Sequence, residues 1–173
     1  YQHIVDWFKD EKNHNLESQL DTEVCGIPHT FAWGGLHGCI DHPIHRKGLI
    51  IHVDVTSFYP SIMIRYNLLT RNCSDPEKFK QIYDKRVALK KAGKKKEQAP
   101  YKIILNSTYG ISNDKHSQAY DPRQAHNVCM NGQLLLLDLL EHLEGHCEIL
   151  QSNTDGLFIQ IPNNQQSFDK IED

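Results

Sequence analysis

The chain has 173 residues, with 19 Lys and Arg against 22 Asp and Glu, and a formal net charge of −3. Its longest apolar run, Leu134–Leu137, is far shorter than the roughly 20 residues of a membrane-spanning helix, which excludes that class of protein. The charge is unevenly spread, because residues 78–102 contain 10 basic residues and two acidic ones, giving this segment +8 and the rest −11. Such local asymmetry indicates that one element meets a polyanion.

The cysteine and histidine residues give information on the redox compartment of the protein and on possible zinc binding. The five cysteines are an odd number, widely spaced and without a CxxC pair, which predicts reduced thiols and a cytoplasmic setting. The first quarter of the chain is crowded with Cys and His. Four of these residues could in principle hold zinc, although their spacings match no common zinc module and suit loop residues equally well. The residues are Cys25, His29, His37, Cys39, His42 and His45.

The clearest element predicted in the first part of the chain is a strand. Residues 1–24 are polar and are expected to be partly helical, and residues 25–48, rich in Gly, Pro and His, are expected to form loop with short strands. Leu49–Val55 is bounded by turn residues and predicts a core strand. Alternation places Ile51, Val53 and Val55 on one face and His52 and Asp54 on the other. A short helix over residues 61–69 is expected to follow.

The basic segment has helical periodicity. Apolar residues recur at helical spacing from about Pro76 to Lys96. Gly93 is expected to weaken this helix and Pro100 to break it. A second helix is expected from Tyr101 to about Tyr109, with Gly110 as its C-terminal stop. The segment is therefore predicted to be a helical hairpin rather than a disordered tail.

The last third of the chain predicts one long helix and a β-hairpin. The helix is expected over residues 122–143. Glu148–Leu150 and Leu157–Ile161 are predicted strands, and Asp155-Gly156 between them is a strong signal for a tight turn. The predicted order of elements is therefore strand, helix, helical pair, helix, strand, strand.

Two acidic residues lie where structure alone does not require them. Asp54 interrupts an apolar strand, where a carboxylate is costly unless it is paired or bound to a metal; a strand-end acid bonded to backbone groups is the alternative. Asp155 lies in a hairpin turn, where an ordinary turn residue is the simpler interpretation. If strand and hairpin are neighbours, the two carboxylates could bridge two Mg²⁺ ions and support displacement at phosphorus.

Three motifs resemble those of family B DNA polymerases. Asp54–Ile62 resembles motif A, D-x-x-S-L-Y-P-S-I, with Phe58 in place of Leu. Lys102–Gly110 matches motif B, K-x-x-x-N-S-x-Y-G, at every fixed position. Asn153-Thr154-Asp155 resembles motif C, usually D-T-D, with an Asn that keeps an oxygen but carries no charge. The motifs occur in the family's order, and Gly34-Gly35 resembles the glycine pair upstream of motif A.

The resemblance implies roles for individual residues. Asp54 and Asp155 align with the catalytic, metal-binding carboxylates, and the carbonyl of Val55 would complete the ligand set for two Mg²⁺ ions, which Mn²⁺ can replace. Tyr59 aligns with the aromatic residue that excludes a 2′-hydroxyl, and Lys102 with the lysine that binds the triphosphate. Further implied roles are nucleotide binding by Arg86, Lys90 and Asn106, and contacts with template or base pair by Ser107, Tyr109 and Gly110.

The same resemblance implies an α+β fold, in which an antiparallel palm sheet backed by helices carries an inserted fingers hairpin of two helices. The expected parts are the N-terminal palm part with motif A, residues 1–75, the fingers hairpin with motif B, residues 76–110, and the C-terminal palm part with motif C, residues 111–173. The exonuclease and thumb regions of such an enzyme do not fit in this chain. It is therefore expected to be a fragment that is poorly active alone.

The implied activity is template-directed DNA synthesis, in which dNMP is transferred to a primer 3′-hydroxyl. The implied partners are primer–template DNA, dNTP, and the exonuclease and thumb regions of the parent chain. Short intervals between the motifs resemble nucleic-acid-primed enzymes encoded by a bacteriophage or prophage and working in the cytoplasm of a bacterial host. The alternative is a non-catalytic nucleic-acid-binding module of palm-like topology, in which the acids are turn and strand-end residues and the lysines form a solvated face.

Overall fold

A computed structural model describes residues 1–161 of the chain. Within this range the protein has a mixed α+β fold, with five α-helices and one six-stranded antiparallel sheet, which confirms the predicted fold class at that level. None of the helices in this range combines the length and apolar character that a bilayer span requires. The end of the predicted C-terminal part, residues 162–173, lies outside the described residues.

The chain divides into two compact units, which are described separately. The sheet unit comprises residues 1–55 and the chain from residue 132 onward, and the helical unit comprises residues 56–131. Helix α5, Pro122–Leu143, begins in the helical unit and ends in the sheet unit. The three-part division expected from the motifs cuts the chain differently and stays a prediction.

The sheet unit contains all six strands. Its elements are α1 Gln2–Lys9, β1 Gln19–Val24, β2 Ile27–Ala32, β3 Gly35–Cys39, β4 Leu49–Asp54, β5 Glu148–Asn153 and β6 Gly156–Ile161. The spatial order is β1-β2-β3-β5-β6-β4, and every neighbouring pair is antiparallel. The hairpin of β5 and β6 therefore lies between the N-terminal meander and β4.

The sequence predicts the meander of β1, β2 and β3 only in part. Residues 1–24 contain the expected helix but also β1, and residues 25–48 contain β2 and β3. In β2 the buried residues are Ile27, His29 and Phe31, so that a histidine stands at one of the three core positions. The period-two pattern of apolar residues is weakened in this way, and it therefore gives little signal for a strand.

The core of the sheet unit lies on one face of the sheet. Along β6, Leu157, Ile159 and Ile161 are buried while the residues between them are only half-buried, because successive side chains point to opposite faces. Burial of each such side chain contributes roughly 1.5–3 kcal/mol. Helix α5 is attached to β2 by the buried amide of Gln133, which accepts from the N–H of Ala32 at 3.2 Å and donates to its carbonyl at 2.8 Å.

Strand β4 is an edge strand. Among the residues that the structure describes it pairs with β6 alone, and Val53 is 37% exposed. The prediction of a core strand is wrong, because β-branched residues also suit an edge strand that keeps one side in water.

The helical unit contains two complete long helices. Its elements are α2 Phe58–Arg65, α3 Pro76–Lys91, α4 Lys95–Ser112 and the first part of α5. α3 packs against α4, so the basic segment forms a helical hairpin. The start of α3 agrees with the prediction, since Asp75 accepts the N–H of Lys78 at 3.0 Å and Pro76 is the first helical residue.

Helix α2 begins earlier than predicted. It was expected to follow Pro60, but Pro60 is its third residue. The first intrahelical bond is donated by the N–H of Ser61 to the carbonyl of Ser57 at 2.8 Å, so the donor that proline lacks is one that the helix does not use. The helix ends at Arg65 rather than at residue 69, because Asn67 adopts a left-handed conformation with φ 54.

The break in the basic segment lies at Gly93 rather than at Pro100. Gly93 has φ 71, and two backbone bonds close the end of α3, from Lys94 to the carbonyl of Leu89 and from Gly93 to that of Lys90, both at 3.0 Å. α3 therefore ends before Lys96. Helix α4 includes Pro100, which has no N–H to donate, so its second turn lacks one backbone hydrogen bond. The helix also continues past Gly110.

A buried carboxylate joins the loop after α2 to the start of α5. Asp121 is 2% exposed and accepts bonds from Arg71, at 2.9 Å from the backbone N–H, 2.8 Å from Nε and 2.7 Å from Nη2. The guanidinium of Arg71 holds the pKa of Asp121 down to about 2, against the effect of burial. The charged carboxylate is therefore part of the folded state.

We predict that Asp121→Asn lowers the free energy of unfolding at pH 7 by about 1–3 kcal/mol, because the charge-assisted bonds to Arg71 are lost. The pKa of Asp121 is lower in the folded chain than its ordinary value of about 3.9. The contribution is therefore complete above about pH 5, decreases below it, and is lost as the pH falls through about 2. Urea unfolding of both proteins from pH 7 to pH 2.5 measures this convergence.

The matched control is Glu17→Gln, which neutralises an exposed carboxylate. It is expected to leave the urea midpoint nearly unchanged. A difference between wild type and Asp121→Asn that stays constant down to pH 2.5 would contradict the assignment of this stability to the ionised carboxylate.

Candidate functional site

The pairing of β4 with β6 brings the two predicted carboxylates to the same end of the sheet. Asp54 is paired directly with Gly156, the residue after Asp155. The N–H of Val55 donates to the backbone carbonyl of Asp155 at 2.8 Å. Strand and hairpin are thus neighbours in one sheet, the condition on which the two-metal hypothesis depends.

Glycines on both sides of the β5–β6 turn allow this close approach. A Cβ on Gly156 would lie 2.7 Å from the backbone O of Val53, so any side chain there would push β4 away. Gly35, the second glycine of the upstream pair, has φ 130, and a Cβ on it would lie 2.6 Å from Oγ1 of Thr154. The turn that carries Asp155 is therefore enclosed at its base by β4 and by the start of β3.

Both carboxylates are exposed to solvent. The inference that Asp54 is a costly charge in an apolar environment is wrong, because Asp54 ends an edge strand and its charge is solvated. Neither acid needs a metal for the stability of the fold. Together with the carbonyl of Val55, they offer oxygen donors of the kind that Mg²⁺ binds, and Asn153 lies opposite Gly156 in the register of β5 and β6.

Sequence reasoning missed an aromatic pair beside Asp54. His52 precedes Asp54 by two residues on the same face of β4, and its ring stacks on that of Phe158 with centroids 4.1 Å apart and planes at 7°. The two residues are opposite each other in the register of β4 and β6. The alternation of His52 and Asp54 indicates one polar face, but only the pairing register identifies Phe158 as the partner.

The Cys and His residues of the first quarter do not form a zinc site in the described structure. Across residues 1–161, no three Cys, His, Asp or Glu side chains are grouped so as to hold a metal. Cys25 donates to the carbonyl of Leu140 at 3.3 Å, and Nδ1 of buried His29 lies 3.0 Å from the carbonyl of Ile27. Burial lowers the pKa of His29, which favours its neutral form.

The motif B residues lie on α4 in the helical unit. Lys102, Asn106 and Gly110 follow one another at intervals of four residues, so they lie along one side of the helix, and all three are exposed. Ser107 is exposed beside them. This side of α4 therefore presents a positive charge, an amide and a position without a side chain to solvent.

Tyr59 and Tyr109 are neighbours within the helical unit. Their ring centroids are 4.7 Å apart at an interplanar angle of 63°, and the hydroxyl of Tyr59 lies 3.7 Å from the Sγ of buried Cys129. Burial raises the pKa of Tyr109, so its hydroxyl stays protonated at neutral pH. Tyr59 is half-buried, and its ring position is therefore defined by contacts from α4 and α5.

The two other predicted nucleotide-binding cations differ in exposure. Arg86 is 5% exposed, and its Nε donates to Oε1 of Gln98 at 3.2 Å, which joins α3 to α4. Lys90 is exposed and its Nζ lies 2.6 Å from the hydroxyl oxygen of Thr56. Both residues thus have partners within the helical unit, whereas the ammonium of Lys102 projects from an exposed position.

Comparison with known proteins gives no assignment for this chain. No protein-family model matches it, and a search of curated proteins found no match.

We predict that Gly35→Ala destabilises the protein by about 1–3 kcal/mol, because its φ of 130 and its contact with Thr154 leave no room for a Cβ. Gly34→Ala is the matched control, since a Cβ on Gly34 has no atom within 4 Å. Thermal and urea unfolding of the two variants measures the difference. Equal stability of the two variants would show that β3 does not constrain the turn.

Proposed function

We propose that the chain is part of a template-directed DNA polymerase related to family B, in which a primer 3′-hydroxyl attacks the α-phosphate of a dNTP and pyrophosphate leaves. The observation that carries the proposal is the register of β4 and β6, which places Asp54 of the motif A segment beside Asp155 of the motif C segment. These residues are about one hundred positions apart in sequence. Their pairing is what a shared catalytic role requires.

In this proposal the sheet unit acts as the palm. Asp54 and Asp155 would hold two Mg²⁺ ions with the carbonyl of Val55, and their exposed oxygens suit that cation. When bound, the metal would lower the pKa of the primer hydroxyl and neutralise charge developing at phosphorus. The chain's own contribution is to fix both carboxylates on paired backbone, so that they need little reorganisation.

The helical hairpin of α3 and α4 acts as the fingers. Exposed Lys102 would bind the triphosphate as a point charge, with Asn106 on the same side of α4 contacting the nucleotide. Buried Arg86 suits a supporting role better than direct binding, because its Nε is bonded to Gln98 across the hairpin. Lys90 would exchange its bond with Thr56 for a phosphate oxygen. Ser107, Tyr109 and Gly110 remain the candidates for template and base-pair contacts.

The main alternative is a non-catalytic nucleic-acid-binding module. One observation favours it: both acids are exposed and solvated, so the fold alone accounts for them without a metal. The same module would use the stacked rings of His52 and Phe158 as a surface for unpaired bases. Binding of a divalent cation separates the two proposals, because a module of this kind has no use for it.

We predict that Mn²⁺ binds at the carboxylate pair. Titration with Mn²⁺ is expected to broaden the NMR signals of residues around Asp54 and Asp155 first, at metal concentrations that leave the rest of the sheet unaffected. Asp54→Asn or Asp155→Asn should weaken this binding about tenfold or more, because half of the anionic donor set is lost.

Asp21→Asn is the control for this titration. Asp21 is an exposed carboxylate on β1, at the opposite edge of the same sheet, so its neutralisation should leave the broadening pattern unchanged. Uniform broadening in wild type, or equal binding by all three variants, would refute the metal site and favour the non-catalytic module.

We predict that Tyr59 sets sugar selectivity in the full-length parent protein. Tyr59→Ala is expected to raise incorporation of ribonucleotides relative to deoxyribonucleotides by about tenfold or more, which corresponds to about 1.4 kcal/mol, because the ring that excludes the 2′-hydroxyl is removed. Tyr59→Phe keeps the ring and its contact with Tyr109 and should retain the wild-type ratio. Single-nucleotide extension with paired rNTP and dNTP measures both, and an unchanged ratio in Tyr59→Ala would remove Tyr59 from this role.

A further inference from the structure

The tight turn between β1 and β2 has an unusual residue at its first central position. Val24 pairs with Ile27, so Cys25 and Gly26 form a two-residue hairpin loop. Both have positive φ, 52 for Cys25 and 78 for Gly26, as a type I′ turn requires. Asn, Asp or Gly normally occupies the first position, and a cysteine there is conformationally costly. A strained residue that persists indicates that its side chain has a use.

The thiol of Cys25 is directed at the end of helix α5. Its Sγ lies 3.3 Å from the carbonyl of Leu140, and its N–H donates at 2.9 Å to the hydroxyl of Tyr1, which in turn bonds Glu144 at 3.1 Å. The turn is therefore held against the last turn of α5 and the residues that follow it. All of these contacts lie within the sheet unit.

A second thiol lies at the same helix end. The Sγ of Cys147, in the loop between α5 and β5, is 3.7 Å from the carbonyl of Leu143. Leu140 and Leu143 are three residues apart, so their carbonyls are separated by about 4.5 Å along the helix axis. The two thiols thus contact neighbouring carbonyls of one helical turn, and both are half-buried and reduced.

We propose that Cys25 and Cys147 are a dithiol pair that forms a reversible disulfide, joining the β1–β2 turn to the loop that precedes β5. The oxidant would be a low-molecular-weight disulfide such as oxidised glutathione. One cysteine thiolate attacks it and releases one glutathione thiol, and the second cysteine then displaces the other glutathione, so that two thiols are oxidised and one disulfide is reduced. The proposal is independent of polymerase activity.

The electrostatics of the pair indicate slow exchange. Burial, and to a smaller extent the nearby Cys25, raises the pKa of Cys147 to about 11. Burial and the charges of Glu144 and Glu141 raise the pKa of Cys25. Because the thiolate is the attacking species, the rate of oxidation should increase steadily from pH 7 to pH 9. The pair is therefore a slowly responding modification site and not a reactive catalytic thiol.

The test is oxidation of the full chain with excess oxidised glutathione at pH 8.5, followed by peptide mapping without reduction. The expected product contains one linked peptide pair, Cys25 with Cys147, and carries no glutathione on either of these two cysteines. The melting temperature should rise by roughly 5–15 °C, since the link closes a long loop in the unfolded chain. Addition of dithiothreitol should reverse both changes.

Two variants make the result decisive. Cys25→Asn removes the thiol but suits the left-handed turn position, so it should melt no lower than reduced wild type while gaining nothing from oxidation. Cys39→Ser removes an exposed thiol and should retain the full oxidative gain. Separate glutathionylation of Cys25 and Cys147, linkage of either to another cysteine, or failure of the pair to oxidise at pH 8.5 would overturn the proposal.

Discussion

The contact between β4 and the β5–β6 hairpin is the interaction on which the candidate site depends. Within residues 1–161, β4 has no other neighbour in the sheet, so its position is set by six residue pairs with β6, from Leu49 with Ile161 to Asp54 with Gly156. A shift of this register by one residue would turn Asp54 to the opposite face. The absence of a side chain at Gly156 permits the pairing to continue to the last residue of the strand, where a Cβ would meet the carbonyl of Val53 at 2.7 Å.

The exposed charged residues of the candidate site are acidic in the sheet unit and basic in the helical unit. In the helical hairpin several cations are already engaged: Lys80 bonds Asp84 at 2.9 Å, and the Nζ of Lys85 lies 5.1 Å from the ring centroid of Tyr101. These pairs stabilise α3 and α4 only slightly, because they are exposed. Other exposed lysines of the segment are Lys91, Lys95 and Lys96 at the connection between the helices, Lys78 at the start of α3, and Lys102 on α4. Three of these five lysines lie at the end of the hairpin where the helices connect, so this end is the most basic part of the segment.

Much of the fold follows from local signals in the sequence, and the exceptions have physical causes. The cap at Asp75, the length of α5 and the strands on both sides of Asp155 were predictable, because each depends on residues close together in the chain. The position of Pro100 inside α4 was not predictable, because the packing of α4 against α3 outweighs the loss of one backbone hydrogen-bond donor. The exposure of Asp54 was not predictable either, because a strand pattern does not indicate whether a strand is central or at an edge. For the site, the motif positions identified the residues, but only the register showed that Asp54 and Asp155 are neighbours and that His52 stacks on Phe158.

The two glycine contacts at the β5–β6 turn bear on the choice between a catalytic and a purely structural role for Asp155. An acid in a surface turn that only solubilises the hairpin needs no defined position, and loops of that kind tolerate substitution. Here the turn is confined on one side by Gly35 against Thr154 and on the other by Gly156 against β4. Gly35 also adopts a backbone conformation that other residues avoid. Confinement of an exposed carboxylate from two sides is what precise placement of a ligand group requires, and it favours the catalytic proposal over the module in which Asp155 is an ordinary turn residue.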